Sequence, residues 1–407
     1  MQKIVVVGGC GRVGLPLGLA FAEAAQFDIF LLDSDEEKVE KFNQKKAPFF
    51  EPGVEDLIDK HVGKTVVATS DNACVRGADC VIVAIGTPVH KDRKPEATEF
   101  LKSVFELLSL MEPDALLIIR STVLPGVTRS VFDMIADSGK SIQVAFCPER
   151  TAQGKAMQEL RTLPQIVSAF DEAALLSSKQ LFSLIAPEIV ELTPAEAELA
   201  KLFTNAWRYI NFAISNEFYT IAESHGIDFN RVSEAMKRDY PRLSGLVSPG
   251  FCAGPCLVKD TQQLAAFSGN ENFLLGSAAL KINEGLPNFI VEQLKSIDLS
   301  SKTVGILGMA FKANTDDSRD SLCFKLRDLL ASHARTVLCT DPYIADSSFH
   351  PLDRVLQEAD VLILGTPHSI YQDVQVSPGK TFVDCWGFWP DRTPDGVPLE
   401  ACSIGVE

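Results

Sequence analysis

In the N-terminal part of the chain, apolar positions come in short β-branched runs at 3–7, 28–32, 65–68, 80–85, 115–120 and 142–146, which read as strands. Amphipathic segments of helical length lie between several of them. Strand–helix alternation predicts βαβ units and a parallel sheet. The pattern changes near residue 193. Thr193-Pro194-Ala195-Glu196 is a capping box with proline at the first helical position. No glycine or further proline follows until Gly226, which supplies a stop. One helix over 194–225 is expected, roughly 48 Å long at ~1.5 Å per residue. Leu199, Leu202, Phe203, Trp207, Ile210, Phe212, Ile214 and Phe218 cover most of its circumference. A helix apolar nearly all round is buried. It reads either as an ordinary core helix or as a spine between two domains that also serves a subunit interface.

From Lys302 the alternation restarts. Strands are expected at 303–307, 336–339, 361–364 and 381–384, with a helix over 320–331 between the first two. This is a second α/β domain. At 407 residues the chain exceeds what one compact core usually holds. Three domains are expected, at 1–192, 193–297 and 298–407.

Apolar residues make up 46 % and charged residues 23 %, a globular balance that excludes a disordered or collagen-like chain. The 38 Lys and Arg against 54 Asp and Glu give a net charge of −16, which argues against nucleic acid or an anionic membrane as partner. No stretch approaches the ~20 apolar residues that span a bilayer. The first apolar run, ending at Val7, passes straight into glycines and is no secretory signal. The 10 cysteines follow no regular framework, so reduced thiols and a cytoplasmic location are expected, most of the thiols being small buried hydrophobes.

Gly9-Cys10-Gly11-Arg12-Val13-Gly14 follows a strand and opens a helix over 15–25. Its glycines allow a tight turn, close approach of a pyrophosphate and close helix–strand packing, and the helix end favours the phosphate charge. Asp33, at the end of the next strand, is spaced to bind an adenosine ribose and to repel a 2′-phosphate. NAD is therefore favoured over NADP; a helix cap or loop carboxylate is the plainer reading of Asp33.

Further along, Pro249 to Asp260 places Cys252 and Cys256 in a Gly/Pro-rich segment followed by Lys259 and Asp260. A thiolate near cations is a nucleophile. On this chemistry alone Cys256 is either that nucleophile or a buried loop thiol. The Cys252/Cys256 spacing lacks the second pair or His cluster of a metal site, so no metal is expected. Lys201 and Asn205, four apart on the long helix, share a face and could hold a developing oxyanion; a snorkelling lysine is the alternative. Arg120-Ser121-Thr122-Val123 and Cys147-Pro148-Glu149-Arg150 follow strands, where ligands of open α/β sheets bind, so Thr122 and Glu149 are placed to face one, unless they are caps or surface polar residues. After the first strand of the last domain, Gly308 to Ser321 carries Lys312 and Arg319, suited to a second set of phosphates or to a solvated loop.

In this order the motifs resemble the nucleotide-sugar 6-dehydrogenase family: UDP-glucose, UDP-N-acetylhexosamine and GDP-mannose dehydrogenases. The resemblance rests on the glycine loop, the Ser-Thr-Val-x-Pro-Gly loop at 121–126, the Pro-Glu loop, the Glu-x-x-Lys-x-x-x-Asn helix at 198–205, the Cys-x-x-Lys-Asp segment and the Phe-Lys-x-x-Thr-Asp-Asp-x-Arg segment at 311–319. It covers essentially the whole chain. It implies two Rossmann-like doubly wound domains joined by a long central helix and a small helical domain that dimerises, with NAD on the first domain and a UDP-sugar on the last. It implies a four-electron oxidation of the sugar's 6-hydroxymethyl to a carboxylate. Cys256 would form a thiohemiacetal and then a thioester. Lys201 would stabilise the oxyanions and help the first deprotonation. Asn205 would hold the sugar oxygen or the water, and Asp260 would orient that water and Lys201. Glu149 would be the general base of the thioester step, with Thr122 beside it. Gly9, Gly11, Arg12, Val13, Gly14, Asp33, Thr87, Ser121 and Thr122 would line the cofactor. Lys312 and Gly254 would meet the UDP-sugar, as would Glu149, Lys201 and Asn205. Arg319 would sit near phosphates of either ligand, and Arg242 resembles an arginine that reaches the substrate from the other subunit.

The chain departs from the family pattern in three places. Ala253-Gly254-Pro255-Cys256 replaces Gly-Gly-Ser-Cys, and Pro255 removes a backbone donor beside the nucleophile. Arg12 stands where an aromatic is often found. Arg150 follows Glu149, which looks more like the N-acetylhexosamine branch than the glucose branch. A UDP-N-acetylhexosamine substrate is therefore expected, with UDP-glucose as the alternative. Two rivals are a two-electron NAD dehydrogenase of the 6-phosphogluconate or hydroxyacid type, which needs no nucleophilic thiol, and a catalytically silent nucleotide-sugar-binding regulator.

Overall fold

The computed structural model describes residues 2–87, 97–252, 254–269, 272–376 and 379–389. Ala253 of the cysteine segment and residues 390–407 of the last expected domain lie outside them. The chain divides into two compact units, Met1–Thr204 with Gln262–Phe267, and Asn205–Thr261 with Ser268–Glu407.

The first unit carries β1 (Lys3–Val7), β2 (Asp28–Leu32), β3 (Val66–Thr69), β4 (Cys80–Val83), β5 (Leu116–Ile119), β6 (Gln143–Phe146), β7 (Gln165–Ala169) and β8 (Ile189–Glu191). They form one sheet in the order β3-β2-β1-β4-β5-β6-β7-β8. β1 to β6 are parallel, β7 runs antiparallel to β6, and β8 is parallel to β7. The chain reverses direction across the sheet between β1 and β4, where an open α/β sheet leaves its ligand crevice. The helices are α1 (Gly14–Ala24), α2 (Glu36–Asn43), α3 (Val54–His61), α4 (Thr98–Leu110), α5 (Val127–Ser138), α6 (Ala156–Thr162) and α7 (Glu172–Phe182). They cover both faces. Ile4 and Val6 of β1 join a core with α1, α3, α6 and α7. Val5, between them, joins a second core with α4 and α5. Period-two alternation of one buried strand thus feeds two cores.

The capping box closes as expected at the start of α8 (Pro194–Ser224). Thr193 N–H donates to Glu196 at 2.8 Å and Glu196 N–H donates back to Thr193 Oγ1 at 3.4 Å. Gly226, at φ +67°, follows the stop. All-round burial does not hold for this helix. Leu202 and Tyr209 are fully buried, but Phe203, Trp207 and Phe218 are exposed. One face of α8 is left apolar and open in the single chain.

The second unit begins within α8 and continues through α9 (Phe229–Lys237), α10 (Pro255–Phe267) as far as Thr261, and α11 (Leu274–Leu294). Its sheet has β9 (Thr303–Leu307), β10 (Thr336–Thr340), β11 (Val361–Leu364) and β12 (Thr381–Val383), all parallel in the order β10-β9-β11-β12. α12 (Leu322–Ala331) and α11 pack on one face with Val304, Ile306 and Ile363. α13 (Leu352–Glu358) packs on the other with Leu307, Leu362 and Leu364. Both units therefore carry the doubly wound Rossmann-like architecture. Sequence patterning placed ten of the twelve strands and missed β7 and β8.

Candidate active site

In the first unit the glycine loop is a tightly fitted turn. Gly8 lies at φ +74°, and a Cβ there would stand 2.8 Å from Ala84 O. A Cβ on Gly9 would stand 2.5 Å from Leu31 Cα, and one on Gly14 would overlap Gly8 O. Gly11 meets only Gly8 O, at 3.1 Å, so its outer side is open to a ligand. No side chain caps the N-terminus of α1 and its first turn holds no acid, which leaves its amides for an anion. Val13 stands at that cap position, and Arg12 lies 4.9 Å over the ring of Phe49. Asp33 accepts the Cys10 N–H at 2.9 Å and the Asp35 N–H at 3.1 Å, so its carboxylate stands beside the glycine loop.

Past the ends of β4 and β5, two loops tie together. Thr87 Oγ1 donates to Thr122 O at 2.7 Å, and Ser121 Oγ donates to Ile85 O at 2.7 Å. Buried Glu198 accepts the N–H groups of Gly126 (2.7 Å) and Thr128 (2.9 Å) and the Thr128 hydroxyl (2.6 Å). It therefore caps α5 and pins the first turns of α8 to the 121–126 loop. One turn on, Lys201 is buried.

Glu149, just after β6, is buried and fully engaged. One oxygen accepts the N–H groups of Arg150 and Thr151, each at 2.7 Å, and the other accepts Arg120 Nη2 at 2.6 Å. Burial alone would raise its pKa. The charge of Arg120, the Thr151 amide and the charge of Lys201 outweigh it and hold the carboxyl below the usual range. Glu149 is thus an ionised, oriented carboxylate.

In the second unit Cys256 is the second residue of α10, and it is the one exposed thiol among the nine described free cysteines. The start of a helix favours an anion. By contrast, burial pushes the Cys147 thiol up to about 12 and raises Cys252 as well, which leaves them unreactive. Pro255 occupies the first helical position, where the missing N–H is an orphan in any case. The family departure at this residue therefore leaves the helix that carries Cys256 intact. Gly254, at φ +96°, lies under the ring of Phe311. Asp260, one turn along α10, is buried. It accepts Asn205 Nδ2 at 2.5 Å and pairs with Lys259 Nζ at 2.8 Å.

Lys312 stands in the segment between β9 and α12, its carbonyl accepting the Thr315 hydroxyl at 2.8 Å. Arg319 forks onto buried Asp317 through Nε (2.9 Å) and Nη2 (2.7 Å), and its charge also senses Cys256. Arg242 is exposed in a turn after α9, 5.6 Å over the Tyr240 ring. The first unit thus gathers Gly9, Gly11, Gly14, Asp33, Thr87, Ser121, Thr122, Glu149 and Lys201. The second gathers Asn205, Gly254, Cys256, Asp260, Lys312 and Arg319.

Models of the UDP-glucose/GDP-mannose dehydrogenase family match almost the full length: the NAD binding domain at residues 2–185, the central domain at 195–285 and the UDP binding domain at 305–391. The chain belongs to this family. The dehydrogenase is 28 % identical over 384 residues to the UDP-N-acetyl-D-mannosamine dehydrogenase of Pyrococcus horikoshii, covering 91 % of this chain and 90 % of that one. It is 29 % identical over 381 residues to the UDP-glucose 6-dehydrogenase AglM of Haloferax volcanii, covering 87 % of each. The solved structure of the UDP-D-ManNAc dehydrogenase from Pyrococcus horikoshii superposes with a TM-score of 0.84 at 27 % identity, over 92 % of this chain and 91 % of that one.

This dehydrogenase is an NAD-dependent oxidoreductase. The open side of Gly11, the uncapped end of α1 and Asp33 at the end of β2 fit the dinucleotide. α12 contrasts with this, because Ser321 caps its N-terminus by accepting from Cys323 N–H. Among the described residues no cluster could hold a metal ion, and no helix is long and apolar enough to cross a membrane.

The sequence motifs include Arg120 and Glu198 without a role for either, and leave out Glu51 and Gln165. A signal existed for Arg120, since a lone charge closes the otherwise apolar run of β5.

Proposed function

We propose that this dehydrogenase oxidises the 6-hydroxymethyl of a UDP-N-acetylhexosamine to the uronate through a thioester on Cys256. The observation that carries the reading is the exposed thiol at the head of α10, one turn from the Asp260–Asn205 pair. Arg150 after Glu149 and the long match to a UDP-N-acetyl-D-mannosamine dehydrogenase favour the N-acetylhexosamine substrate. UDP-glucose is the second reading, favoured by the comparable identity to a UDP-glucose 6-dehydrogenase. We assign the enzyme to the cytoplasm as a homodimer or higher homo-oligomer, with domains at 1–192, 193–297 and 298–407.

NAD, when bound, supplies the hydride acceptor for both oxidations. The glycine loop and α1 hold its pyrophosphate and Asp33 its ribose, with Thr87, Ser121 and Thr122 along the strand ends. Lys201 helps remove the proton of the 6-hydroxyl. The Cys256 sulfur adds to the aldehyde carbon, and the carbonyl oxygen takes up negative charge beside Lys201 and Asn205. Loss of a second hydride from that carbon leaves the thioester. Water then adds to the acyl carbon, the C–S bond breaks and the thiolate returns. Asp260 commits one Asn205 amide hydrogen and thereby fixes how that amide meets the sugar oxygen or the water. Glu149 acts on this water as an ionised carboxylate, with Thr122 beside it. Lys312, Gly254 and Arg319 hold the UDP moiety. In total, one alcohol, two NAD and one water give one carboxylate, two NADH and three protons.

Counting NADH from excess NAD and limiting single UDP-sugars tests the proposal. About two NADH per sugar is expected, with UDP-N-acetylhexosamine preferred, and Cys256→Ala should lose the complete turnover. A ratio near one means that oxidation stops at the aldehyde or a keto-sugar, and the covalent role of Cys256 is then wrong. No NADH with any UDP-sugar would point first to GDP-sugars and then to a silent binder.

A further inference from the structure

We propose that Arg120 is the positioning residue of the hydrolysis step, orienting the Glu149 carboxylate through one buried guanidinium. The inference rests on the role given to Glu149 above. Arg120 is 1 % exposed at the end of β5. Nη2 donates to Glu149 at 2.6 Å, while Nη1 donates to Gln165 Oε1 at 2.8 Å and to Cys147 O at 3.0 Å. Its guanidinium carbon lies 5.1 Å from the centroid of the Phe182 ring. Gln165 in turn donates to Ile166 O at 2.6 Å. The guanidinium is thus held by β7, by α7 and by the backbone after β6, where Nη1 also reaches Pro148 O at 3.4 Å, and Nη2 alone reaches the Glu149 carboxylate. A planar fork held this way fixes direction as well as charge, which a lysine would not do.

The far side of the loop is fastened separately. Glu51 accepts the Gly154 and Ala156 N–H groups at 2.7 and 2.8 Å, and Glu159 accepts the Ala152 N–H at 2.6 Å. Removing Arg120 therefore frees the Glu149 carboxylate without freeing the whole loop. The charged groups that face Glu149 are Arg120 from β5, the neighbouring Arg150, and Lys201 from α8. Arg120 supplies the largest lowering effect, against burial. Without it, burial prevails and the carboxyl takes up a proton at higher pH.

Arg120→Met, Arg120→Lys and Glu149→Gln are compared with wild type using UDP-N-acetyl-D-mannosamine and NAD between about pH 5 and 8. Acyl-Cys256 is followed by intact-mass spectrometry of acid-quenched enzyme. Glu149→Gln should accumulate acyl-enzyme at every pH. Arg120→Met should accumulate it only on the acid side, its kcat limb rising by about one unit or more, with KM for the sugar within about twofold. The shifted limb should vanish in the Arg120→Met/Glu149→Gln double variant. Arg120→Lys should be intermediate, and it decides alone if Arg120→Met does not fold. Wild-type kcat, pH limb and acyl level in either folded Arg120 variant, with Glu149→Gln impaired, overturns the proposal. Wild-type turnover by Glu149→Gln overturns the reading of Glu149 instead.

Discussion

The ring of Phe311 fills the space that a side chain at residue 254 would need, and Gly254 itself sits at φ +96°. Two segments quoted separately in the sequence, the cysteine motif and the Phe-Lys motif, are therefore in register at one backbone atom. Gly254→Ala must relieve both the left-handed backbone and the overlap with the ring. It should cost about 1–3 kcal/mol in urea unfolding. It should also lower kcat by about a hundredfold, because Cys256 is two residues away and a shift near 1 Å is enough. Wild-type stability and turnover in Gly254→Ala would show that the Phe311 contact does not position the thiol.

Asp33 holds the Cys10 N–H at 2.9 Å and stands where the adenosine ribose is expected. Asp33→Asn keeps the shape but removes the charge that repels a 2′-phosphate. The ratio of kcat/KM for NAD over NADP should fall by about tenfold or more, roughly 1.4 kcal/mol per tenfold. An unchanged ratio in steady-state assays with both cofactors would assign discrimination elsewhere.

These two sites differ in how far the sequence revealed them. Asp33 was legible because its distance from the glycine loop is a local spacing set by one strand and one helix. Strands β1 to β6 and β9 to β12 were legible as short apolar runs. β8 has only three residues, and β7 (Gln165–Ala169) starts on a glutamine, so neither stands out as a run. Pairings across the fold were not legible at all. Arg120 and Glu149 are 29 residues apart, and Glu198 meets Gly126 over 72. Nothing local in a single chain marks which residue meets which. The open face of α8 is a related case. An apolar periphery predicts burial without saying which molecule provides the cover.

In the second unit Asp341 ends β10, much as Asp33 ends β2, but its carboxylate is used up. It accepts the N–H groups of Met309 (2.7 Å), Ala310 (2.9 Å), Tyr343 (2.8 Å) and Ile344 (3.1 Å), and His368 Nε2 at 3.0 Å. His368 Nδ1 accepts the Asn314 N–H at 2.9 Å, so the pair fastens both ends of the segment that carries Lys312. Burial acts to raise the Asp341 pKa, but the His368 hydrogen bond, with the amides, holds it below the usual range. A depressed carboxyl stabilises the fold above its unfolded pKa, near 3.9, and that stabilisation is lost as pH falls through the lower folded value. Asp341→Asn should cost about 3 kcal/mol at neutral pH. Its deficit in urea midpoint against wild type should shrink below about pH 4. A constant deficit down to that pH would mean that the loss comes from shape and not from charge.

Trp207, Ile214 and Ile221 recur every seven residues on α8 and share a face, with Phe218 beside them. All four are exposed in the single chain, Trp207 by 64 %. A row of large apolar side chains in water marks a surface that another molecule covers. In the proposed homodimer that molecule is a second copy of this chain. Trp207→Glu is a clean probe because the side chain is exposed and its loss leaves no hole in the monomer's core. Sedimentation velocity should show the wild type as a dimer or larger at about 1 μM, and the variant should dissociate at concentrations about a hundredfold higher than wild type, roughly 2.7 kcal/mol. Helical content by circular dichroism should not change. If Arg242 reaches the sugar from the other protomer, the variant's turnover should fall with dilution in step with its dissociation. A Trp207→Glu enzyme that keeps the wild-type mass would place the subunit interface away from this face of α8. One that dissociates but keeps full turnover would remove Arg242 from the substrate.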